Sequence, residues 1–133
     1  MAVLVDSNVL LDVVTDDPLW GGWSVAALER AANQSSLIIN PIVYAEVSMG
    51  FTRVEELEEA LPDAVFAREA LPYEAVFLAG KAFLAYRKRG GVRRAPLPDF
   101  YIGAHAAVAG HALLTRDARR YRTYFPTVRL IAP

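Results

Sequence analysis

The chain has 133 residues, 54% hydrophobic and 22% charged, with no cysteine and a formal net charge of -1. Its length and apolar content suit a single domain over residues 1–133 with a sizeable core and exclude intrinsic disorder. The lack of cysteine excludes a disulfide framework, a thiolate metal site and a cysteine nucleophile. With no apolar run of the roughly 18 residues a membrane span needs, and no basic leader ahead of Asp6, a soluble cytoplasmic protein is expected.

In chain order, residues 2–5 form an apolar run ended by Asp6, short enough for a buried strand. Ser7 to Val14 reads as a helix with Leu10, Leu11 and Val14 on one face, broken by Asp16-Asp17-Pro18. A second helix fits Trp23 to Asn33, with Val25, Leu28 and Ala32 at helical spacing; Trp20 and Trp23, beside Gly21-Gly22, read as core packing. Leu37-Ile38-Ile39 is a short strand stopped by Asn40-Pro41, and Ile42 to Phe51 follows as a helix with Pro41 in its first turn.

Residues 53–60 form an acidic helical piece, and 64–71 is ambiguous between a short strand and a loop. Tyr73 to Arg89 is the longest helical pattern, with Val76, Ala79, Phe83 and Tyr86 as its stripe and a cationic end before Gly90-Gly91. A small-residue helix over 99–110, a strand at 112–114, a short helix at 117–124 and a strand at 128–131 complete the chain. Short apolar strands alternating with helices, without hairpin dipeptides, indicate an α/β domain with a mainly parallel sheet.

The near-neutral charge hides a division. Residues 1–70 carry 12 acids and three arginines, a net -9, whereas residues 71–133 carry 11 bases and three acids, a net +8. Such asymmetry is a hint of polyanion or partner binding.

Four acids stand at informative places. In an open parallel sheet, ligands bind beyond the carboxyl ends of the strands. Asp6 ends the first strand and Asp117 follows the strand at 112–114, so each is either a helix cap or a carboxylate on the ligand-binding rim. Glu46 falls among Ile42, Val43, Met49 and Gly50 on an apolar helix face, where a carboxylate needs a buried arginine or a metal ion. Asp99 opens its helix, where it either complements the positive helix end or joins the other acids; Gly103 and Ala106 beside it leave room for close packing or an ion. If the four converge, they cannot all stay ionised without a cation, and hard ions such as Mg²⁺ prefer oxygen ligands.

The segments Val5-Asp6-Ser7-Asn8-Val9-Leu10, Tyr44-Ala45-Glu46-Val47, Leu97-Pro98-Asp99-Phe100-Tyr101-Ile102-Gly103-Ala104 and Leu114-Thr115-Arg116-Asp117 resemble, in order and setting, those of the PIN-domain ribonucleases, in particular the VapC-type toxins of toxin–antitoxin pairs. The resemblance runs over essentially the whole chain and implies a three-layer α/β/α fold with a metal-dependent endoribonuclease activity. By motif match, Asp6, Glu46, Asp99 and Asp117 would be catalytic. Asp6, Asp99 and Asp117 would hold Mg²⁺ or Mn²⁺, and Glu46 would hold a metal water or help deprotonate the nucleophile. Asn8 and Thr115 would orient the carboxylates from behind. Pro98 replaces the polar residue the family places before the third acid. The resemblance also implies a structured RNA substrate such as tRNA or ribosomal RNA, a cognate antitoxin and a homodimer.

Arg87, Lys88, Arg89, Arg93 and Arg94 precede Asp99, and Arg116, Arg119, Arg120 and Arg122 surround Asp117. These bases are candidates for holding an RNA backbone, against the alternatives of solvated helix ends or antitoxin contacts. Tyr121 and Tyr124 either stack on bases or are ordinary half-buried tyrosines, and His105 and His111 read as structural or surface residues. The competing function is a non-catalytic PIN-like module acting through a protein partner or RNA. A phosphatase of similar sheet architecture would need a second Asp where Asn8 stands.

Overall fold

Short aliphatic runs separated by helices assemble into a five-stranded parallel sheet in a computed structural model describing residues 2–133. Strands β1 (Ala2–Val5), β2 (Ser36–Ile39), β3 (Phe66–Arg68), β4 (Ala112–Leu114) and β5 (Leu130–Ile131) lie in the order β3-β2-β1-β4-β5. The ambiguous segment is thus the edge strand β3. Central strands are apolar on both faces because helices cover both, and Leu4, Val5, Leu113 and Leu114 are fully buried.

Helices α1 (Ser7–Val14), α2 (Gly21–Gln34), α3 (Pro41–Ser48) and α4 (Val54–Ala60) connect β1 through β2 to β3. Helices α5 (Tyr73–Lys88) and α6 (Pro98–Ala109) carry the chain back to β4, and α7 (Arg119–Tyr124) leads to β5. With all strands parallel and the order reversing at β1, the right-handed rule for such crossovers sends the connections before β3 and those after it to opposite faces. The result is the expected α/β/α layering. Winding reverses between β1 and β4, which opens a crevice at their carboxyl ends. Among the described residues, no helix is long and apolar enough to cross a membrane.

Three predicted stripes are displaced. In α2 the buried residues are Ser24, Ala27 and Ala31, one position ahead of Val25, Leu28 and Ala32, and Val25 is 40% exposed. The Ser24 hydroxyl donates to Asp12 Oδ2 at 2.8 Å, and the small face lets α2 lie close to α1. In α5 the buried face is Ala75, Ala79 and Ala82, which packs along α6, while Val76 is exposed and Phe83 and Tyr86 are half-buried. In α1, similarly, Val9 and Leu10 are buried and Val14 is exposed. Periodicity finds the largest apolar side chains. Here the closest packing uses the smallest.

Candidate metal centre

Asp6 is both a cap and a rim carboxylate. It leaves β1 in an extended conformation, and its Oδ1 accepts the Ser7 N–H at 2.8 Å to cap α1. Its Oδ2 accepts the Thr115 hydroxyl at 2.8 Å and the Tyr121 hydroxyl at 2.8 Å. The residue is 3% exposed. Burial lifts its pKa from 3.8 to about 6 against the pull of these hydroxyls, with the charges of Asp99 and Glu46 adding to the rise.

Glu46 comes to the same crevice on α3. Asn40 caps that helix, its Oδ1 accepting the Val43 N–H at 2.9 Å, and Pro41 occupies the first turn. The apolar-face expectation needs correction: Val43 and Val47 form the buried stripe, Met49 is 80% exposed, and Glu46 is half-buried at the margin. Its Oε1 accepts the Ser7 hydroxyl at 2.7 Å, so Ser7 joins α1 to α3. Burial first, and then Asp99, raises its pKa.

Asp99 lies in the first turn of α6, half-buried, with Arg120 Nη1 at 3.5 Å. Burial raises its pKa, opposed by Arg120 and reinforced by Asp117. Gly103 does not leave space for an ion. A Cβ there would fall on the Phe125 ring and meet Tyr121 Cδ1 at 3.0 Å, so the missing side chain admits those two rings. Asp117 is exposed, and its hydrogen-bonded partner Arg119 holds its pKa below the usual carboxylate value.

Thr115 joins these parts. Fully buried, its hydroxyl donates to Asp6 and lies 3.3 Å from Asn8 Nδ2 and 3.2 Å from the Asp117 N–H. Asn8 Oδ1 accepts the Arg116 N–H at 3.1 Å, fixing the loop that bears Asp117. Ser7 and Tyr121 escaped the sequence reading as members of this site. Ser7 could have been suspected as the residue after Asp6, but nothing local in sequence ties Tyr121 to it.

The profile of the PIN domain family matches residues 3–126. The chain belongs to the PIN-domain family. Among solved structures, this PIN domain is similar to VapBC2 from Rickettsia felis bound to a promoter DNA fragment, with a TM-score of 0.76, 18% identity and coverage of 100% of this chain and 99% of that one. It is also similar to VapBC-1 from nontypeable Haemophilus influenzae, with a TM-score of 0.75, 17% identity and coverage of 99% and 98%. FitAcB from Neisseria gonorrhoeae gives 0.71, 19%, 97% and 96%. At these identities the likeness is one of fold. Curated proteins provide no match.

The PIN domain separates the predicted bases into groups. Arg116 is not available to a backbone phosphate in this conformation: it makes a two-point ion pair with the buried Asp12, at 2.8 and 3.1 Å, and lies over the Trp20 ring. Arg87 donates to the Arg93 carbonyl. Arg119 and Arg120 flank Asp117 and Asp99 in a depression also walled by Tyr86 and Tyr124, and Arg89 lies over the Tyr124 ring. Lys88, Arg94 and Arg122 are exposed, as is Arg93, whose backbone carbonyl accepts from Arg87. Tyr121 is 1% exposed with its hydroxyl on Asp6, which excludes it from base stacking.

The donor set fits a hard divalent cation. Four carboxylates bring oxygen ligands to one rim, burial holds Asp6, Glu46 and Asp99 towards their neutral forms, and the hydrogen-bond donors on Asp6 are all uncharged. The only trio of His, Asp or Glu among the described residues with ligand atoms within 4.8 Å of one another is Glu69, His105 and His111, so the four acids are more widely spaced. Mg²⁺ tolerates such spacing because it usually keeps several of its waters.

Proposed function

We propose that this PIN domain is a divalent-metal-dependent endoribonuclease, acting as the toxin of a toxin–antitoxin pair in the cytoplasm. The observation that carries the reading is Asp6, a buried carboxylate facing two further acids with only neutral donors on its oxygens. Asp6 and Asp99 would hold Mg²⁺ or Mn²⁺ directly, with Asp117 bound directly or through water. Such an ion, when bound, acidifies water and stabilises charge on phosphodiester oxygens.

The protein's own groups prepare that chemistry. Thr115 and Tyr121 aim Asp6 Oδ2, and Asn8 steadies Thr115. Ser7 fixes Glu46, whose raised pKa suits it to hold the attacking water and take its proton. Arg119 and Arg120 flank the acids and supply the positive charge an RNA backbone requires. Both must exchange a carboxylate for a phosphate, which ties substrate binding to filling of the acidic centre.

Structured RNA such as tRNA or ribosomal RNA is the proposed substrate, and a homodimer the proposed assembly. A cognate antitoxin is proposed because the similar structures include VapBC proteins and a toxin–antitoxin complex from Klebsiella pneumoniae. Incubating purified protein with cellular RNA tests the activity: cleavage that requires Mg²⁺ or Mn²⁺ and disappears in folded Asp99→Asn supports it. Full cleavage by that variant refutes it.

A further inference from the structure

We propose that Glu69, His105 and His111 form a second metal site, selective for a borderline transition ion such as Zn²⁺ and separate from the four-acid centre. Three distant pieces of chain supply it. Glu69 follows β3, His105 lies on α6, and His111 follows the left-handed Gly110 that ends α6. His105 Nε2 and His111 Nε2 approach the same Glu69 Oε1, at 2.8 and 2.7 Å, and all three ligand atoms lie within 4.8 Å of one another. His105 is fully buried and Glu69 is 37% exposed, so the trio is closed behind and open in front. Glu69 also borders a cavity of about 280 Å³ with Asn40, Tyr44 and Arg68, which offers an entry path.

The ligand chemistry separates the two sites. Two imidazoles and one carboxylate, with a position left for water, are the donors of an open zinc site. An all-carboxylate set favours Mg²⁺ or Mn²⁺. No acid of the four hydrogen-bonds to Glu69, His105 or His111.

Asn40 sets the proton positions and shows what metal entry must change. Its Oδ1 is committed to the Val43 N–H, so its Nδ2 faces His105 Nδ1 at 3.0 Å. An amide N–H can only donate, so His105 Nδ1 carries the lone pair and Nε2 carries the proton, donated to Glu69. A metal ion at Nε2 requires that proton to move to Nδ1. The Asn40 amide must then turn to offer Oδ1 to His105, releasing the Val43 N–H and uncapping α3, the helix that carries Glu46. Asp at position 40 removes the conflict, because one carboxylate oxygen can accept from Val43 and the other from His105 Nδ1–H. A carboxylate behind a ligating histidine also raises metal affinity.

Calorimetric titration of Zn²⁺ into the full chain, with excess Mg²⁺ present, tests the proposal. One Zn²⁺ per chain is expected for the wild type and for Asp6→Asn. In His111→Ala and Glu69→Gln, checked for folding by circular dichroism, that site should be lost. Asn40→Asp should bind Zn²⁺ roughly 10-fold more tightly, and Co²⁺ should give the visible absorption bands of a tetrahedral site in the wild type but not in His111→Ala. Equal Zn²⁺ binding by the wild type and His111→Ala, or loss of the site in Asp6→Asn, overturns the proposal. Weaker binding by Asn40→Asp overturns the role given to Asn40.

Discussion

Asp6→Asn should stabilise the metal-free protein while removing its proposed function. Asp6 is 3% exposed, and its pKa is pushed from 3.8 up to about 6, chiefly by burial. A raised folded-state pKa means that the folded protein binds the proton more tightly than the unfolded chain. This group's contribution to stability is therefore present at low pH and lost as pH rises from about 4 through about 6. Above that window the ionised carboxylate costs the fold up to about 3 kcal/mol, at 1.36 kcal/mol per pKa unit. Asparagine removes the charge and keeps the shape. Its carbonyl oxygen can still accept from Ser7, while the Thr115 and Tyr121 hydroxyls must turn to accept from its amide, so the net gain is about 1–3 kcal/mol. For a domain of this size that corresponds to a rise in Tm of roughly 3–10 °C.

Urea melts of both proteins at pH 5 and pH 7, in chelator, measure the effect. Comparing the two proteins cancels the titration of other groups. The advantage of Asp6→Asn should be larger at pH 7 than at pH 5. Added Mg²⁺ should then stabilise the wild type and leave the variant unmoved, because only a folded state that binds the ion gains from it. An Asp6→Asn protein no more stable than the wild type at pH 7, with a gap independent of pH, refutes the claim that Asp6 is an uncompensated buried charge.

Tyr121→Phe removes a hydroxyl donor worth about 1.5–3 kcal/mol to the ionised Asp6; Asp6 then ionises at higher pH, and the acid limb of kcat/KM against pH should move upward. Arg116→Met leaves the buried Asp12 with only Ser24 and should cost roughly 3 kcal/mol in a denaturant melt, with the salt dependence of RNA binding unchanged. Arg120→Ala should instead reduce that salt slope by about 0.7–0.9. Gly103→Ala drives a methyl into Phe125 and Tyr121 and should lower stability by about 1–3 kcal/mol by overpacking.

The sequence made the central strands legible because they are short and almost wholly apolar with abrupt ends, as Val5-Asp6 and Ile39-Asn40-Pro41 illustrate, whereas the edge strand β3, Phe66-Ala67-Arg68, was ambiguous. Asp6 was readable for a related reason, since a residue leaving a parallel strand must reach the carboxyl rim, whereas Thr115 was marked only by the family resemblance. Helix faces were less legible. The buried sides of α2 and α5 consist of Ser24, Ala27 and Ala31 and of Ala75, Ala79 and Ala82, small residues that periodicity weighs too lightly. The Tyr121 bond to Asp6 and the Arg116 ion pair with Asp12 were not legible because the partners are 115 and 104 residues apart, and the histidines, rightly read as structural or surface residues, could not be tied to Glu69, at least 36 residues away. Composition and spacing carry no record of such pairings.

End-group analysis of RNA cut by the purified protein tests the central claim most directly. Water attack at a metal held by Asp6 and Asp99 predicts linear 5′-phosphate and 3′-hydroxyl ends, formed with Mg²⁺ or Mn²⁺ and absent in chelator. Ends bearing 2′,3′-cyclic phosphate, formed equally well in chelator, would contradict it.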